Sequence, residues 1–311
     1  MGNVIVKVEN LSHKYTTQWA IKKIDFSIAH EGIVGLLGSN GAGKSTLMNI
    51  ICGVLKQTEG EVFINGIDLK KDPVEAKKNI GFLPQKPPLY LDFTVKEYLT
   101  YCADLRMMEK QYIKSAVEEA AERCGVAHFM NRLLRNLSGG YQQRTGIAQA
   151  IVHNPKFVVL DEPTNGLDPN QIVEVRGLIK EIAADRSVLL STHILSEVQA
   201  TCREIKMIEN GEQVFSGTLE EFNNYIQPNA LQLQLETPPE TAALSSIEGI
   251  TTAEQLSPGL FRLIYDGEKN TIKTVAQTSV DKGWGLLGLS VEKSSLDAVF
   301  AELSKNSVNN E

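Results

Sequence analysis

The sequence predicts an α/β protein with a mixed, partly parallel sheet, followed by a smaller α+β domain. Across residues 1–225, short β-rich runs alternate with helical patterns, which is typical of layered α/β structures. One of these runs leads into a glycine-rich loop and then an apolar periodic segment, the strand–loop–helix order of a phosphate-binding motif. The polar stretch 223–230 is typical of a linker, and a different order of elements follows it.

The predicted strands of the first domain are short and rich in apolar residues. They cover residues 4–8, 33–37, 61–64, 80–83, 157–160, 187–190, 205–208 and 213–215. Strand patterns disappear between residues 95 and 152, where helical periodicity replaces them. We therefore expect a helical subdomain at residues 90–153 within a first domain that covers residues 1–225.

The second domain, residues 226–311, is predicted to contain four strands and three helices. The expected elements are strand 231–235, helix 240–247, strands 250–253 and 260–265, helix 270–282, strand 285–291 and helix 294–303. The order βαββαβ with one further helix predicts a ferredoxin-like accessory domain.

Bulk properties place the chain among soluble globular proteins. Of its 311 residues, 42% are hydrophobic and 22% are charged, which is ordinary for a protein with a substantial core. A net charge of −7 argues against nonspecific binding of nucleic acid, so we expect no nucleic-acid partner. We expect neither a signal peptide nor a membrane span, because no apolar run approaches the ~20 residues that a span requires. The four scattered cysteines predict reduced thiols in a cytosolic protein.

The glycine-rich loop matches the pattern of Gly, four residues, Gly, Lys and Ser/Thr. Its residues are Gly38, Ser39, Asn40, Gly41, Ala42, Gly43, Lys44, Ser45 and Thr46. The glycines let backbone N–H groups surround a triphosphate, and the positive end of the following helix dipole points at the same anion. Lys44 would contact the β- and γ-phosphate oxygens, and the Ser45 hydroxyl would bind Mg²⁺.

Two adjacent acids, Asp161 and Glu162, follow the apolar strand 157–160. The carboxyl ends of buried parallel strands are where open α/β sheets bind ligands. Asp161 would therefore orient the Mg²⁺ shell. Because side chains alternate along a strand, Glu162 would point to the other side and act as general base or polariser for an attacking water. In isolation, two solvated acids at a strand end would be the favoured interpretation of the pair.

Residues 137–144, Leu-Ser-Gly-Gly-Tyr-Gln-Gln-Arg, resemble the signature motif of ATP-binding cassette (ABC) ATPases. Other elements of that family follow in the same order along residues 3–225. They are Tyr15 at the adenine-stacking position, Gln85 in the Q-loop, Asp168 in the D-loop sequence 165–168, and His193 as the switch histidine. The resemblance implies a P-loop NTPase fold of the ABC cassette type, with ATP and Mg²⁺ as cofactors and ATP hydrolysis as the activity.

The resemblance also assigns roles to these residues. Gln85 would contact Mg²⁺ or the attacking water, and His193 would bind the γ-phosphate and orient that water. Ser138, Gly139 and Gly140 would close on the nucleotide held by another subunit, so that a single chain is an incomplete enzyme. Two positions depart from the common pattern, Tyr141 after Ser-Gly-Gly and Gly166 before Leu-Asp. Neither removes a group that binds phosphate or metal.

Several kinds of ABC protein can be weighed from the sequence. The interval between Lys44 and Ser138 is too short for the long coiled coil of chromosome-maintenance relatives, and the single cassette differs from the tandem pair of translation factors. Residues 294–300 resemble the terminal segment of export-type ATPases of the drug-resistance, sodium-efflux and gliding-motility kind. Residues 83–99 most resemble the gliding-motility subgroup.

The sequence therefore predicts the ATPase subunit of an exporter. Its expected partners are an ABC-2-type transmembrane permease on a separate chain and a second ATPase subunit, with a homodimer favoured. We expect the protein in the cytoplasm, peripheral on the inner face of the cell membrane. A regulatory ATPase that acts on a soluble complex and a module that binds ATP without hydrolysing it are the alternatives.

Overall fold

The computed structural model describes residues 4–29, 31–225, 229–292 and 296–306. Contacts divide the chain into a large unit, Met1–Leu219 with Leu303–Glu311, and a small unit, Glu220–Glu302. The predicted domains, 1–225 and 226–311, stay a prediction. Part of the predicted linker, residues 226–228, lies outside the described residues, and so do residues 294 and 295 of the last predicted helix.

The large unit contains ten strands among its described residues. They are β1 (Val6–Tyr15), β2 (Gln18–Ile28), β3 (Gly32–Leu37), β4 (Glu59–Ile64), β5 (Ile67–Asp68), β6 (Ile80–Leu83), β7 (Phe157–Asp161), β8 (Ser187–Ser191), β9 (Glu204–Glu209) and β10 (Glu212–Thr218). Its helices are α1 (Lys44–Ile51), α2 (Pro73–Lys78), α3 (Val95–Leu105), α4 (Lys110–Arg123), α5 (Gly139–Ile151), α6 (Pro169–Ile182) and α7 (Leu195–Thr201). Short 3₁₀ turns cover Ala127–Phe129 and Leu134–Asn136, and α8 (Leu219–Asn223) follows β10.

A six-stranded sheet with the order β10-β9-β3-β8-β7-β6 forms the centre of the large unit. All neighbouring pairs are parallel except β9 and β10. Every residue of β7 and β8 is buried, which explains the apolar runs 157–160 and 188–190 within them. The carboxyl ends of β3, β7 and β8 meet at one edge of this sheet, the edge predicted to bind the ligand.

The second sheet has the order β2-β1-β4-β5 and is antiparallel. The sequence patterns did not predict β2, and β1 is longer than the predicted strand 4–8. The pairing register shifts within β1–β2, where Lys23 has φ +45°. Because of this irregularity Ile21 and Ile24 are both buried at a spacing of three, so the alternation that identifies a strand is lost.

The helical subdomain forms where strand patterns are absent from the sequence. Helix α3 begins with a capping box, in which Thr94 and Glu97 satisfy each other's backbone N–H groups. The buried face of α4 includes Val117, Ala120 and Ala121, whose spacing is that of one face of a helix.

The small unit contains β11 (Ala230–Leu235), α9 (Thr241–Ser245), β12 (Ile250–Ser257), β13 (Leu260–Tyr265), α10 (Lys269–Asp281) and β14 (Leu286–Glu292), and the chain continues into α11 (Leu296–Asn306). Its antiparallel sheet has the order β12-β13-β11-β14, which is the ferredoxin-like arrangement that the element order predicts. Its core packs Leu233, Phe261, Leu263 and Val275 together.

Two bulk expectations can be compared with the structure. All four cysteines are free thiols. None of the helices in the described part of the chain has both the length and the apolar character that crossing a bilayer requires.

Candidate functional site

A cavity of about 940 Å³ opens at the carboxyl edge of the central sheet. Nine of the residues proposed from the sequence line it, and six others do so as well. The first group is Tyr15, Asn40, Gly41, Gly43, Lys44, Ser45, Thr46, Gln85 and Glu162, and the second is Gln18, Trp19, Ala20, Lys22, Asn210 and Gly211. This volume is that of a pocket for a nucleotide-sized ligand.

The glycine-rich loop depends on glycine at position 43. Gly43 is the N-cap of α1 and has φ +107°, a conformation that L side chains rarely adopt. A Cβ atom there would lie 2.6 Å from Ile21 Cγ2 and 2.7 Å from the Ala20 carbonyl oxygen. The unpredicted strand β2 therefore packs directly behind the loop, and only a residue without a side chain fits between them.

Lys44 is buried, and its ammonium group contacts the loop that carries it. Its Nζ atom donates hydrogen bonds to the carbonyl oxygens of Gly38 at 2.7 Å and Ser39 at 2.8 Å. Burial lowers the pKa of Lys44, and the carboxylates of Glu162, Asp161 and Glu209 partly oppose that shift. A triphosphate would supply a stronger anionic partner for the same ammonium group.

Ser39 has a protein partner at the start of the loop. Its backbone N–H donates to Glu209 Oε2 at 3.1 Å, and its hydroxyl donates to Glu209 Oε1. Glu209 is itself buried at the end of β9. These bonds hold the loop entrance against the central sheet, and the role of Ser39 toward a nucleotide stays a prediction.

Asp161 and Glu162, at the end of β7, occupy different environments. Asp161 is the last residue of β7, and the Ser191 hydroxyl donates to its Oδ1 atom. Glu162 lies beyond the strand with φ +47°, so the alternation of strand side chains that we used to separate the two acids does not apply to it. Its N–H donates to the carbonyl and hydroxyl oxygens of Ser191 at 3.2 and 2.9 Å, which anchors this left-handed backbone.

Three loops place a nitrogen atom next to the Glu162 carboxylate. Gln85 Nε2 donates to Oε2 at 2.9 Å, and Asn165 Nδ2 donates to the same oxygen at 3.2 Å. His193 Nδ1 lies 3.0 Å from Oε1. The structure thus brings Gln85 and His193 next to the Glu162 carboxylate, which reaches the cavity. The sequence proposed these three residues separately.

The remaining proposed residues lie elsewhere within the chain. Ser138 is the N-cap of α5, and neither it nor Gly139 or Gly140 is among the described residues that line the cavity. Asp168 caps α6, where its Oδ1 atom accepts a hydrogen bond from the Gln171 N–H at 3.0 Å. One chain therefore lines the cavity with its glycine-rich loop and Glu162, and the role of its Ser-Gly-Gly segment stays a prediction.

The proposed metal ligands offer oxygen atoms that suit Mg²⁺. Ser45 and Gln85 line the cavity, and Asp161 lies at the adjacent strand end, so all three offer the hard oxygen atoms that Mg²⁺ prefers. Within the described ranges no group of three His, Cys, Asp or Glu side chains could hold a metal ion alone. In nucleotide-binding proteins Mg²⁺ is usually held by one or two protein ligands together with substrate phosphates, and this donor set suits such an ion.

Sequence reasoning missed Asn165 as a partner of Glu162, and it missed the cavity wall formed by Trp19, Asn210 and Gly211. The Asn210–Gly211 turn joins β9 to β10, and the Gly211 N–H donates to the carbonyl oxygen of Ala42 in the phosphate loop at 3.1 Å. An Asn-Gly pair between two apolar runs is a recognisable hairpin signal. Trp19 had no comparable signal, because β2 was not predicted.

A family model described as ABC transporter matches residues 21–165. An uncharacterized ABC transporter ATP-binding protein of Bacillus subtilis is 34% identical over 75% of this chain and 77% of the relative. The bacitracin transport ATP-binding protein of Bacillus licheniformis is 30% identical over 97% of both chains. Among solved structures, a dimeric ATP-binding cassette in a post-hydrolysis state with ADP and Pi has a TM-score of 0.62 at 27% identity, covering 69% of this chain and 98% of its own.

Proposed function

The chain belongs to the ABC transporter family of ATP-binding proteins, and on that premise we propose that it hydrolyses Mg-ATP to drive export through a separate ABC-2-type permease. The observation that carries this proposal is the convergence of Gln85, Asn165 and His193 on the Glu162 carboxylate at the mouth of the nucleotide-sized cavity. A carboxylate held in this way can accept a proton from water as the water attacks a phosphate.

The residues of the cavity suit the individual tasks of phosphoryl transfer. Lys44 can exchange its bonds to Gly38 and Ser39 for phosphate oxygens, where its charge offsets the charge of the transition state. Tyr15 is exposed at the cavity wall and can stack on the adenine ring. Mg²⁺, held by Ser45, Asp161 and Gln85 with the phosphates, supplies electrostatic stabilisation when it is bound. Glu162 accepts the proton, while His193 and Gln85 orient the water.

We propose that the active form is a dimer with two nucleotides at the interface. Ser138–Gly140 begin a thirteen-residue helix, whose N-terminus favours anions, yet they do not line the cavity of their own chain. A second subunit would bring this segment onto the nucleotide held by Lys44. The similarity to a dimeric cassette that contains ADP and Pi supports this arrangement.

We propose that the permease docks in a groove of about 410 Å³ on the large unit. Its apolar wall consists of Val54, Val74, Leu105 and Met107, whose side chains are more than half exposed. Lys77 and Arg106 supply positive charge at the same groove, and Lys78, which also lines it, is paired with Glu75. An exposed apolar surface of this kind with a charged rim is typical of a protein-binding site. The expected occupant is a cytoplasmic amphipathic segment of the permease that carries an acidic residue, and this contact would keep the ATPase at the inner face of the membrane.

Co-purification with the membrane protein tests the proposal. The chain is expressed with its candidate permease, and both complex formation and phosphate release are measured. Leu105→Asp should abolish co-purification but leave the phosphate release of the isolated chain unchanged, because the groove is distinct from the cavity. Val280→Asp, at an equally exposed position on α10, is the matched control and should retain the complex. Retention of the complex by Leu105→Asp would exclude the groove, and capture of a soluble complex alone would favour a regulatory ATPase.

A further inference from the structure

A second carboxylate, Glu197, lies buried beneath the catalytic loops. It belongs to the first turn of α7 and is 1% exposed. Its Oε1 atom accepts hydrogen bonds from Thr164 Oγ1 at 2.7 Å and Arg176 Nη2 at 3.2 Å, and its Oε2 atom accepts one from Thr192 Oγ1 at 2.8 Å. Neither the sequence motifs nor the cavity gives this residue a role.

The two threonines come from two different loops. Thr164 lies between β7 and α6, directly before Asn165, and Thr192 lies between β8 and α7, directly before His193. Asn165 and His193 are the residues that approach the two oxygens of Glu162. The contacts therefore form a closed ring, in which Glu162 joins the loops on the cavity side and Glu197 joins them on the buried side.

This arrangement is costly for stability alone. A buried carboxylate loses its hydration, and well-packed apolar residues often replace a buried ion pair without loss of stability. Arg176 also keeps a buried Nε atom that has no hydrogen-bond partner among the described residues. Both oxygens of the Glu197 carboxylate are nevertheless hydrogen-bonded, and a buried carboxylate satisfied in this way restricts its partners to one arrangement. The unfavourable free energy of burying the Glu197 carboxylate is therefore consistent with more precise positioning of the groups around Glu162.

We propose that Glu197 is a positioning residue that holds the loops bearing Asn165 and His193 in register, so that both reach the Glu162 carboxylate together. This inference rests on the proposed role of Glu162 in activating water. Loss of either threonine hydroxyl would release one loop and leave phosphate binding intact, because Thr164 and Thr192 do not line the cavity.

Steady-state kinetics of the full chain test the proposal. Thr164→Val and Thr192→Val should each lower kcat about tenfold or more and change the KM for ATP less than about twofold, because they misplace groups that act in the transition state. The double variant should be about as slow as either single variant, because one released loop already opens the ring. Thr164→Ser and Thr192→Ser retain the hydroxyl and should restore turnover.

Thr201→Val provides the matched control on the same helix. Its hydroxyl donates to the main-chain oxygen of Glu197 at 2.6 Å and does not touch the carboxylate, so kcat should not change. In a Glu162→Gln background, the threonine variants should cause no further loss of turnover. Wild-type kcat in Thr164→Val or Thr192→Val, or the same loss in Thr201→Val, would overturn the proposal. Normal turnover by Glu162→Gln alone would instead overturn the proposed function.

Discussion

Gln85 Nε2 donates a hydrogen bond to Glu162 Oε2 at 2.9 Å, although 77 positions separate the two residues in the chain. Gln85, Asn165 and His193 contact the Glu162 carboxylate, and the bonds of the Glu162 N–H to Ser191 anchor its left-handed backbone at φ +47°. Strained residues of this kind persist where the surrounding structure constrains them, and they cluster at functional sites.

Glu162→Gln should separate ATP binding from hydrolysis. The amide cannot accept a proton from water, so kcat should fall about 10²- to 10⁴-fold, whereas ATP affinity should change little. Phosphate release and titration with a fluorescent nucleotide measure the two effects. Size-exclusion chromatography should show that the variant accumulates as an ATP-bound dimer. Glu75→Gln, an exposed change on α2, is the control and should behave as wild type. Normal turnover by Glu162→Gln would remove Glu162 from the mechanism.

Gly43→Ala should abolish nucleotide binding, because its Cβ atom would clash with Ile21 Cγ2 and the Ala20 carbonyl and displace the phosphate loop. Gly66→Ala is the matched control, since Gly66 has φ +79° but open space around the added atom. It should lower the free energy of unfolding by about 1 kcal/mol without affecting nucleotide binding. Urea unfolding and nucleotide titration of both variants provide the comparison, and normal affinity in Gly43→Ala would contradict the fitted geometry of the loop.

Mixed dimers should show whether two chains share each site. Lys44→Ala and Ser138→Phe should each be inactive alone. Combined in one dimer they leave one intact site, formed by Lys44 of one subunit and Ser138 of the other. About half of the dimers in an equal mixture are mixed, and each has one of its two sites intact, so mixing should restore up to about a quarter of wild-type turnover. Mixing Lys44→Ala with Gly43→Ala leaves a defective phosphate loop in each of the two sites and should restore none. Absence of recovery in the first mixture would argue that each chain works alone.

His153 should make the protein sensitive to mild acid. Burial lowers the pKa of this histidine to about 3, and its Nε2 atom lies 3.0 Å from the Ile80 carbonyl oxygen. The unfolded chain takes up a proton on His153 below about pH 6.5, whereas the folded chain keeps the ring neutral down to about pH 3. Stability is therefore lost as the pH falls through this window, by about 2 kcal/mol between pH 7 and pH 5.

The variant His153→Gln should lack this contribution. Urea unfolding at pH 7 and at pH 5 gives the difference in the free energy of unfolding between the variant and wild type. Between pH 7 and pH 5 this difference should change by about 2 kcal/mol in favour of the variant. An unchanged difference between the two pH values would show that His153 titrates normally in the folded protein.

The sequence alone predicted the features that depend on residues close together in the chain. Local patterns predicted the phosphate loop, the apolar strand before Asp161 and the order of elements in the small unit. They could do so because tight turns, and burial on both faces of a sheet, each restrict which residue types are allowed at a position. Strand β2 escaped prediction because a register irregularity near Lys23 removed its alternation.

Only the tertiary structure decided which of these groups lie together. Gln85, Asn165 and His193 follow three different strands, and their meeting at Glu162 arises from the order in which β6, β7 and β8 pair in the sheet. The left-handed backbone of Glu162 and the buried contacts of Glu197 likewise depend on packing between loops that are distant in the chain. Residue patterns reflect the local burial of each position, whereas a site made of several loops forms only when distant parts of the chain pack together.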